Sequence, residues 1–269
     1  MDRIYSLAYL TGSSFTPPEM ITVAAELGYG AVGLRLLPAA PAGAVQALIG
    51  DAATLRETRA RIAATGVGVF DIEIIRIGED FRLEEFHRFM ETGQALGAKA
   101  ILVAGDDPDE GRLTDHFAAV CRSAAPFGLT CDLEFMPWTS VKNVSDAARI
   151  VARAGEPNAR ILVDALHFDR SDSTIEQVRA LPRAWLSYAQ ICDAPHIVSP
   201  TREQLIHTAR VERLLPGEGD IALGPLFGAL PADLPISVEI PSEPRVAMLG
   251  PVEWSRQALA ASRALIEKS

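Results

Sequence analysis

Leu129–Trp138 reads LTCDLEFMPW, a short apolar strand with an acid, Glu134, close to its exit. A carboxylate between Leu133 and Phe135 on a buried strand is expensive unless it is paired or bound to a cation. Three later segments share the design: Ile161–Asp164 (ILVD), Leu186–Gln190 (LSYAQ) and Ile236–Ile240 (ISVEI). Each is a brief apolar run ending on or beside one residue with a side-chain oxygen. If the strand ends converge, Glu134, Asp164, Gln190 and Glu239 make one oxygen-rich site.

The surrounding sequence says which fold brings them together. In LGYGAVGLRL, TGVGVFDIEI, LGAKAILVAG and FGLTCDLEFM, a helix ends at glycine and a strand follows almost at once. Strand starts near 31, 67, 99, 129 and 160 are one βα unit apart. The strands are near-continuous apolar runs, as in a parallel sheet covered by helices. Ile4–Tyr9 reads as the first strand. Thr16-Pro17-Pro18-Glu19 then starts a helix that runs to Leu27 and stops at Gly28. Ala31–Leu37 is the second strand, and a Pro38–Gly43 loop leads into a helix predicted from Ala44 to Thr65, bent near Gly50. Leu83–Leu96 and Thr114–Phe127 carry apolar residues at helical period. Counting strands near 4, 32, 67, 100, 130, 161, 185 and 236 gives α/β architecture of the (β/α)8 TIM barrel type, one domain spanning residues 1–269. The long interval from Cys192 to Ile236, containing LLPGEGDI, reads as an elaborated loop after the seventh strand. A doubly wound sheet is the competing architecture, but the first strand is followed by LTGSSFTPP, without a glycine-rich phosphate loop.

Composition narrows the function. The 269 residues are 48% hydrophobic and 22% charged, with a net charge of −10. No basic stripe is visible, which argues against nucleic acid or an anionic membrane as partner. The cysteines, Cys121, Cys131 and Cys192, have neither zinc-knuckle nor redox spacing and suit a reducing cytoplasm. No apolar run is long enough for a membrane span.

In a barrel, functional residues sit at the C-terminal strand ends. The four oxygen-bearing residues fall on neighbouring strands, so their ends form one arc. Three carboxylates on one arc repel, and a divalent ion removes that cost. An all-oxygen set suits Mg²⁺ or Mn²⁺ better than Zn²⁺, with Co²⁺ or Zn²⁺ as further options. LEFMPW, LVDALHF, AQICDAP, LLPGEGDI and SVEI together resemble the sugar phosphate isomerase/epimerase superfamily, the xylose-isomerase-like barrels. That resemblance covers the whole chain and includes ketose 3-epimerases, inosose isomerases and dehydratases, and 3-dehydroshikimate dehydratases. It implies Glu134, Asp164, Gln190 and Glu239 as metal ligands. It implies His167 as a substrate-side catalytic histidine and Asp193 as support for the strand-7 ligand, close to substrate.

Departures from the family pattern point to the substrate. Many epimerases have histidine where this chain has Gln190, and glutamine there is similar to some 3-dehydroshikimate dehydratases. His196 stands where epimerases often place an arginine. Arg35 and Arg76 lie at neighbouring strand exits, and the strand-7 loop adds Arg210 and Arg213; arginine forks suit carboxylate or phosphate. Arg35, Arg76, Asp193, His196 and Arg213 are therefore the expected substrate-binding set, unless the strand-exit arginines merely pair with acids such as Glu73 and Asp80. Phe15, Phe135, Trp138 and Phe168 wall the mouth or pack beneath it. His87 and His116, on predicted outer helices, read as surface or packing residues, and Gly217-Glu218-Gly219 as a turn.

The implied reaction is metal-dependent abstraction of a proton α to a carbonyl through an enediolate, with Glu134 and Glu239 as bases on opposite faces. The substrate is a small ketose, keto-polyol or keto acid and the enzyme an isomerase or epimerase. A lyase of the 3-dehydroshikimate or inosose dehydratase type is the alternative. An AP-endonuclease-like hydrolase is a minor one, disfavoured by five histidines and the acidic charge; a metal-free binding barrel is another. A homodimer or homotetramer is an open expectation.

Overall fold

A computed structural model describes residues 3–38, 45 and 48–267. Eight parallel strands close into a barrel in sequence order: β1 (Tyr5–Leu7), β2 (Ala31–Arg35), β3 (Gly68–Ile77), β4 (Ala100–Gly105), β5 (Thr130–Glu134), β6 (Ala159–Asp164), β7 (Ala189–Ile191) and β8 (Ile236–Val238). β8 returns to β1 with Tyr5 opposite Ile236 and Leu7 opposite Val238. The chain is thus a (β/α)8 TIM barrel. The helices outside it are α1 (Pro17–Leu27), α2 (Ala52–Thr65), α3 (His87–Leu96), α4 (Glu110–Ala124), α5 (Val144–Ala154), α6 (Ala165–Asp169), α7 (Ile175–Arg179), α8 (Arg202–Val211), α9 (Leu223–Ala229), α10 (Glu243–Leu249) and α11 (Pro251–Ile266).

Most boundaries follow the local signals. Thr16 N donates to Glu19 Oε2 at 2.9 Å at the start of α1, and Gly28 ends it with φ 87°. α2 starts later than the periodicity predicts. Asp51 is its cap, accepting from the amides of Ala53 and Thr54, both at 3.0 Å; residues 39–44, 46 and 47, where the predicted helix begins, lie outside the described residues. α4 begins at Glu110 rather than Thr114 because Asp109 accepts from Arg112 N at 2.8 Å. β7 is later and shorter than Leu186–Gln190, because a 3-10 turn at Arg183–Trp185 consumes the approach.

The core lies between barrel and helices. Leu7, Val32, Ile72, Ile101, Leu133 and Ile161 are fully buried, and Trp254 of α11 is buried with its Nε1 donating to Ile240 O at 2.8 Å. Thr11 clasps the seam between first and last strands: its Oγ1 donates to Val238 O and accepts from Ile240 N, both at 2.7 Å. Among the described residues no helix is long and apolar enough to cross a membrane.

Candidate metal centre and active site

Strand register gathers the polar residues at one rim. Glu134 closes β5 opposite Ala104 and Leu162, Asp164 closes β6 opposite Gln190 of β7, and Glu239 follows the last residue of β8. Arg35 closes β2 opposite Glu73, and Arg76 lies near the end of β3 opposite Ala104. A cavity with about 420 Å3 of empty space, open to solvent, has Glu73, Glu134 and Glu239 in its lining, with Arg35, Arg76 and His167.

Asp164 caps the turn that follows it, accepting from His167 N at 2.9 Å, and so fixes the histidine at the site. His167 Nε2 lies 3.6 Å from Glu134 Oε1, and Trp138 meets the imidazole edge-on with centroids 4.9 Å apart. Burial, opposed by Asp164, pushes the His167 pKa down to about 4, so the ring is neutral near pH 7.

The acids share one buried arginine. Arg213 is 1% exposed. Its Nη1 donates to Asp164 Oδ2 at 2.6 Å, and its Nη2 lies 2.9 Å from Glu239 Oε2. Gln190 Nε2 donates to Glu239 Oε1 at 3.0 Å, while Gln190 Oε1 is buried without a partner. Burial acts upward on Asp164, yet Arg213 and the contacts from His167 together hold its pKa below the ordinary carboxylate value. Glu239 is pushed up to about 8 by burial, against the pull of Arg213. Glu134 has no arginine of its own; burial, then the charges of Glu239 and Asp164, raise its pKa well above the ordinary value.

A charge count tests whether a metal suits these residues. Glu73, Glu134, Asp164 and Glu239 are buried acids, and Arg35 and Arg213 are the guanidiniums paired with them. Counted as ionised, the four acids outnumber the two guanidiniums, an excess of negative charge that a divalent cation would offset. Glu134, Asp164 and His167 each offer a ligand atom, all within 4.8 Å of one another. Gln190 Oε1 is a further oxygen with no other use. The donor set therefore suits a divalent ion.

Several expected substrate contacts are placed differently. Asp193 is buried and spent on backbone: its Oδ1 accepts from Ala194 N at 2.9 Å and Ile221 N at 3.1 Å, its Oδ2 from Gly217 N at 2.8 Å. It holds the loop after β7 rather than substrate. His196 is exposed outside the cavity, its backbone amide bound to Asp220 Oδ2 at 2.8 Å. Arg213 lines the cavity as the ion partner of Asp164 and Glu239, so its fork is already engaged. Arg35 and Arg76 do reach the cavity, paired with Glu73 at 3.1 Å and Asp106 at 2.7 Å. The tetrad is also divided: Glu239 is held by Arg213 and Gln190, and His167 joins Glu134 and Asp164. Glu73 is the lining residue that strand reading overlooked; the rule that marked Glu134, an acid between apolar neighbours, marks Ile72-Glu73-Ile74 as well.

Trp138 lines the cavity, whereas Phe135 is core. His87 is exposed and pairs with Glu91, and Glu218 is bound to the turn, accepting from Leu215 N at 3.3 Å.

The family model described as Xylose isomerase-like TIM barrel matches residues 21–265. No curated protein matches the chain. Among solved structures, the IolI protein with a binding zinc atom superposes with a TM-score of 0.82 at 19% identity, over 98% of both chains. The probable 3-DHS dehydratase AsbF from Bacillus anthracis gives 0.74 at 12% identity, over 97% of this chain and 98% of that one. D-allulose 3-epimerase from Methylomonas sp. in complex with D-allulose gives 0.71 at 15% identity, over 98% of both. At these identities the likeness is one of fold.

Proposed function

This chain belongs to the xylose isomerase-like TIM barrel family, and from that premise we propose that it is a divalent-metal-dependent isomerase or epimerase of a small polyhydroxy ketone or keto acid. The observation that carries the reading is the cluster of buried acids at the C-terminal rim of the barrel, Glu73, Glu134, Asp164 and Glu239, which outnumber the two guanidiniums paired with them. Glu134, Asp164, Gln190 and Glu239 would hold the ion, with His167 beside them. An ion held there would supply Lewis-acid chemistry, polarising a carbonyl and acidifying the neighbouring C–H.

The chain's own residues supply the rest. Glu134 lacks a guanidinium partner, and its raised pKa makes its ionised form a strong base. Glu239, pushed up to about 8 before an ion binds, sits on another strand and is the second carboxyl able to exchange a proton. One carboxylate takes the proton and the other returns it, which inverts a carbon when they face opposite sides. Arg213 keeps Asp164 ionised and fixes Glu239. His167, neutral, can donate a hydrogen bond to a substrate oxygen.

A dehydratase is the second reading, favoured by the 3.6 Å approach of His167 to Glu134. His167 could relay the proton that Glu134 takes from carbon to a hydroxyl β to the carbanion, which leaves as water while the electrons of the broken C–H bond form the new C=C bond.

Solvent exchange tests the primary reading. The metal-loaded protein in deuterium oxide should exchange the α-proton of a ketose or keto-polyol, and Glu134→Gln should lose that exchange with its circular dichroism unchanged. Retention of all α-protons across a broad panel counts against it. A new conjugated ultraviolet chromophore, without return of substrate, selects the dehydratase.

A further inference from the structure

Three arginines converge on the mouth from different elements. Arg35 ends β2, Arg76 belongs to β3 and Arg210 belongs to α8, in the long insertion after β7; all line the cavity. Arg35 lies 4.3 Å over the Tyr9 ring and keeps its Nε buried without an acceptor. Arg76 has one carboxylate partner, Asp106. Arg210 has neither an ion pair nor a side-chain hydrogen bond among the described residues. Its pKa is lowered by burial and then by the positive charges of Arg76 and Arg35. Like charges held this close at a mouth cost free energy, and an anion placed among them removes that cost. The floor beneath is acidic and suits a cation, so the cavity has two poles of opposite sign.

We propose that the substrate carries an oxyanion group, carboxylate or phosphate, which Arg76 and Arg210 clamp at the mouth with Arg35 completing the cradle, while its oxygenated carbons reach the acidic floor. The inference rests on the proposed function only for what happens at that floor. Arg210 is the discriminating residue: it arrives on an insertion, has no ion pair or side-chain hydrogen bond among the described residues, and shares the cavity lining with Arg76. A neutral ketose would leave it without a role.

Matched probes test this. Catechol and 3,4-dihydroxybenzoate share a ring and diol and differ by one carboxylate. In calorimetric titration of the metal-loaded protein, 3,4-dihydroxybenzoate should bind on the order of 10- to 100-fold more tightly, the range for hydrogen bonds to a charged group. Arg210→Gln and Arg76→Gln should each erase most of that advantage and leave catechol unchanged. Arg210→Gln removes no ion pair or side-chain hydrogen bond seen among the described residues, so it separates binding from folding. Equal affinity of the two probes in the wild type, or an advantage that survives in the double variant, overturns the proposal. Acetate and inorganic phosphate are titrated into the metal-stripped protein; the tighter one identifies the group, and both should weaken in Arg210→Gln. This arm does not involve the floor. If the protein holds no divalent ion and catechol fails to bind, the reading of the floor falls, while Arg210-dependent anion binding still decides the clamp.

Discussion

Replacing Arg213 by methionine tests how the acidic floor is held together. Methionine keeps much of the side-chain volume and removes the charge. With both carboxylates ionised, as they are above pH 8, the two contacts, at 2.6 and 2.9 Å, are each worth about 6 kcal/mol of gross Coulomb attraction at an effective dielectric constant of about 20. Burying three charges offsets most of that, so the pairs add little net stability while intact. Deleting one partner is different, because Asp164 and Glu239 stay buried without compensation. That costs about 3–5 kcal/mol, a large share of a total stability of about 5–15 kcal/mol. The urea midpoint of the metal-stripped variant should fall by roughly 1–2 M, taking a slope near 3 kcal/mol per M. Adding Mn²⁺ provides the second readout. Saturation to about 100 times the dissociation constant stabilises by about 2.7 kcal/mol. Arg213 and the ion neutralise overlapping acids, so the metal-induced midpoint shift should be larger in the variant than in the wild type. An unchanged midpoint, or a smaller metal response in the variant, would refute this account.

Other outcomes follow from the same contacts. Glu134→Gln should lower turnover by about 10²- to 10⁴-fold, the usual share of a general base, without lowering the unfolding midpoint, because the uncharged amide resembles the protonated acid that burial favours; a variant that unfolds early removes the assignment. In metal-stripped protein, Glu239 titrates at about 8 when folded against its ordinary 4.5, so the folded state holds the extra proton and stability should decline as pH rises from 6.5 to 8. His167 acts in the other direction between pH 6.5 and 4, folded at about 4 against 6.5, and so offsets Glu239 there; urea midpoints at pH 5, 6.5 and 8 should change little between 5 and 6.5 and fall between 6.5 and 8, and His167→Gln should make the midpoint fall between 5 and 6.5 as well. Gly219→Ala should destabilise by about 1–3 kcal/mol, since a Cβ there would lie 2.4 Å from Asp193 Oδ1 and 2.5 Å from Ala194 O; thermal melting checks it.

The barrel was legible because its signals are local. Each helix that ends at glycine before an apolar run states a βα link by itself, and the repeat of that link implies a closed ring. The floor was legible for a related reason: an acid amid apolar neighbours, as in Leu133-Glu134-Phe135, marks itself. What stayed hidden depends on distant residues. Nothing near Arg213 says that its side chain will enter the carboxylate cluster, because its partners lie 49 and 26 positions away. Asp193 looked like a site residue because it is an acid beside a strand end, but its three amide donors come from a loop whose path the local sequence leaves open. The late start of α2 turns on Asp51 outweighing the weak helical pattern before it.

The seam between β1 and β8 also governs how the chain must be assembled. β1 lies at the beginning of the sequence and pairs with residues 236–238, more than two hundred positions later. During synthesis β1 therefore waits, one backbone edge unpaired, until residues 236–238 have emerged. An unpaired edge is a template for unwanted strand addition, and contacts this remote carry a high loop-closure cost. Thr11, which bonds to Val238 and Ile240 across the seam, makes its contacts only in that last step. A chain cut before residue 236 lacks the strand that protects both β1 and β7, so truncation at the carboxyl end should yield aggregation rather than a smaller, functional barrel.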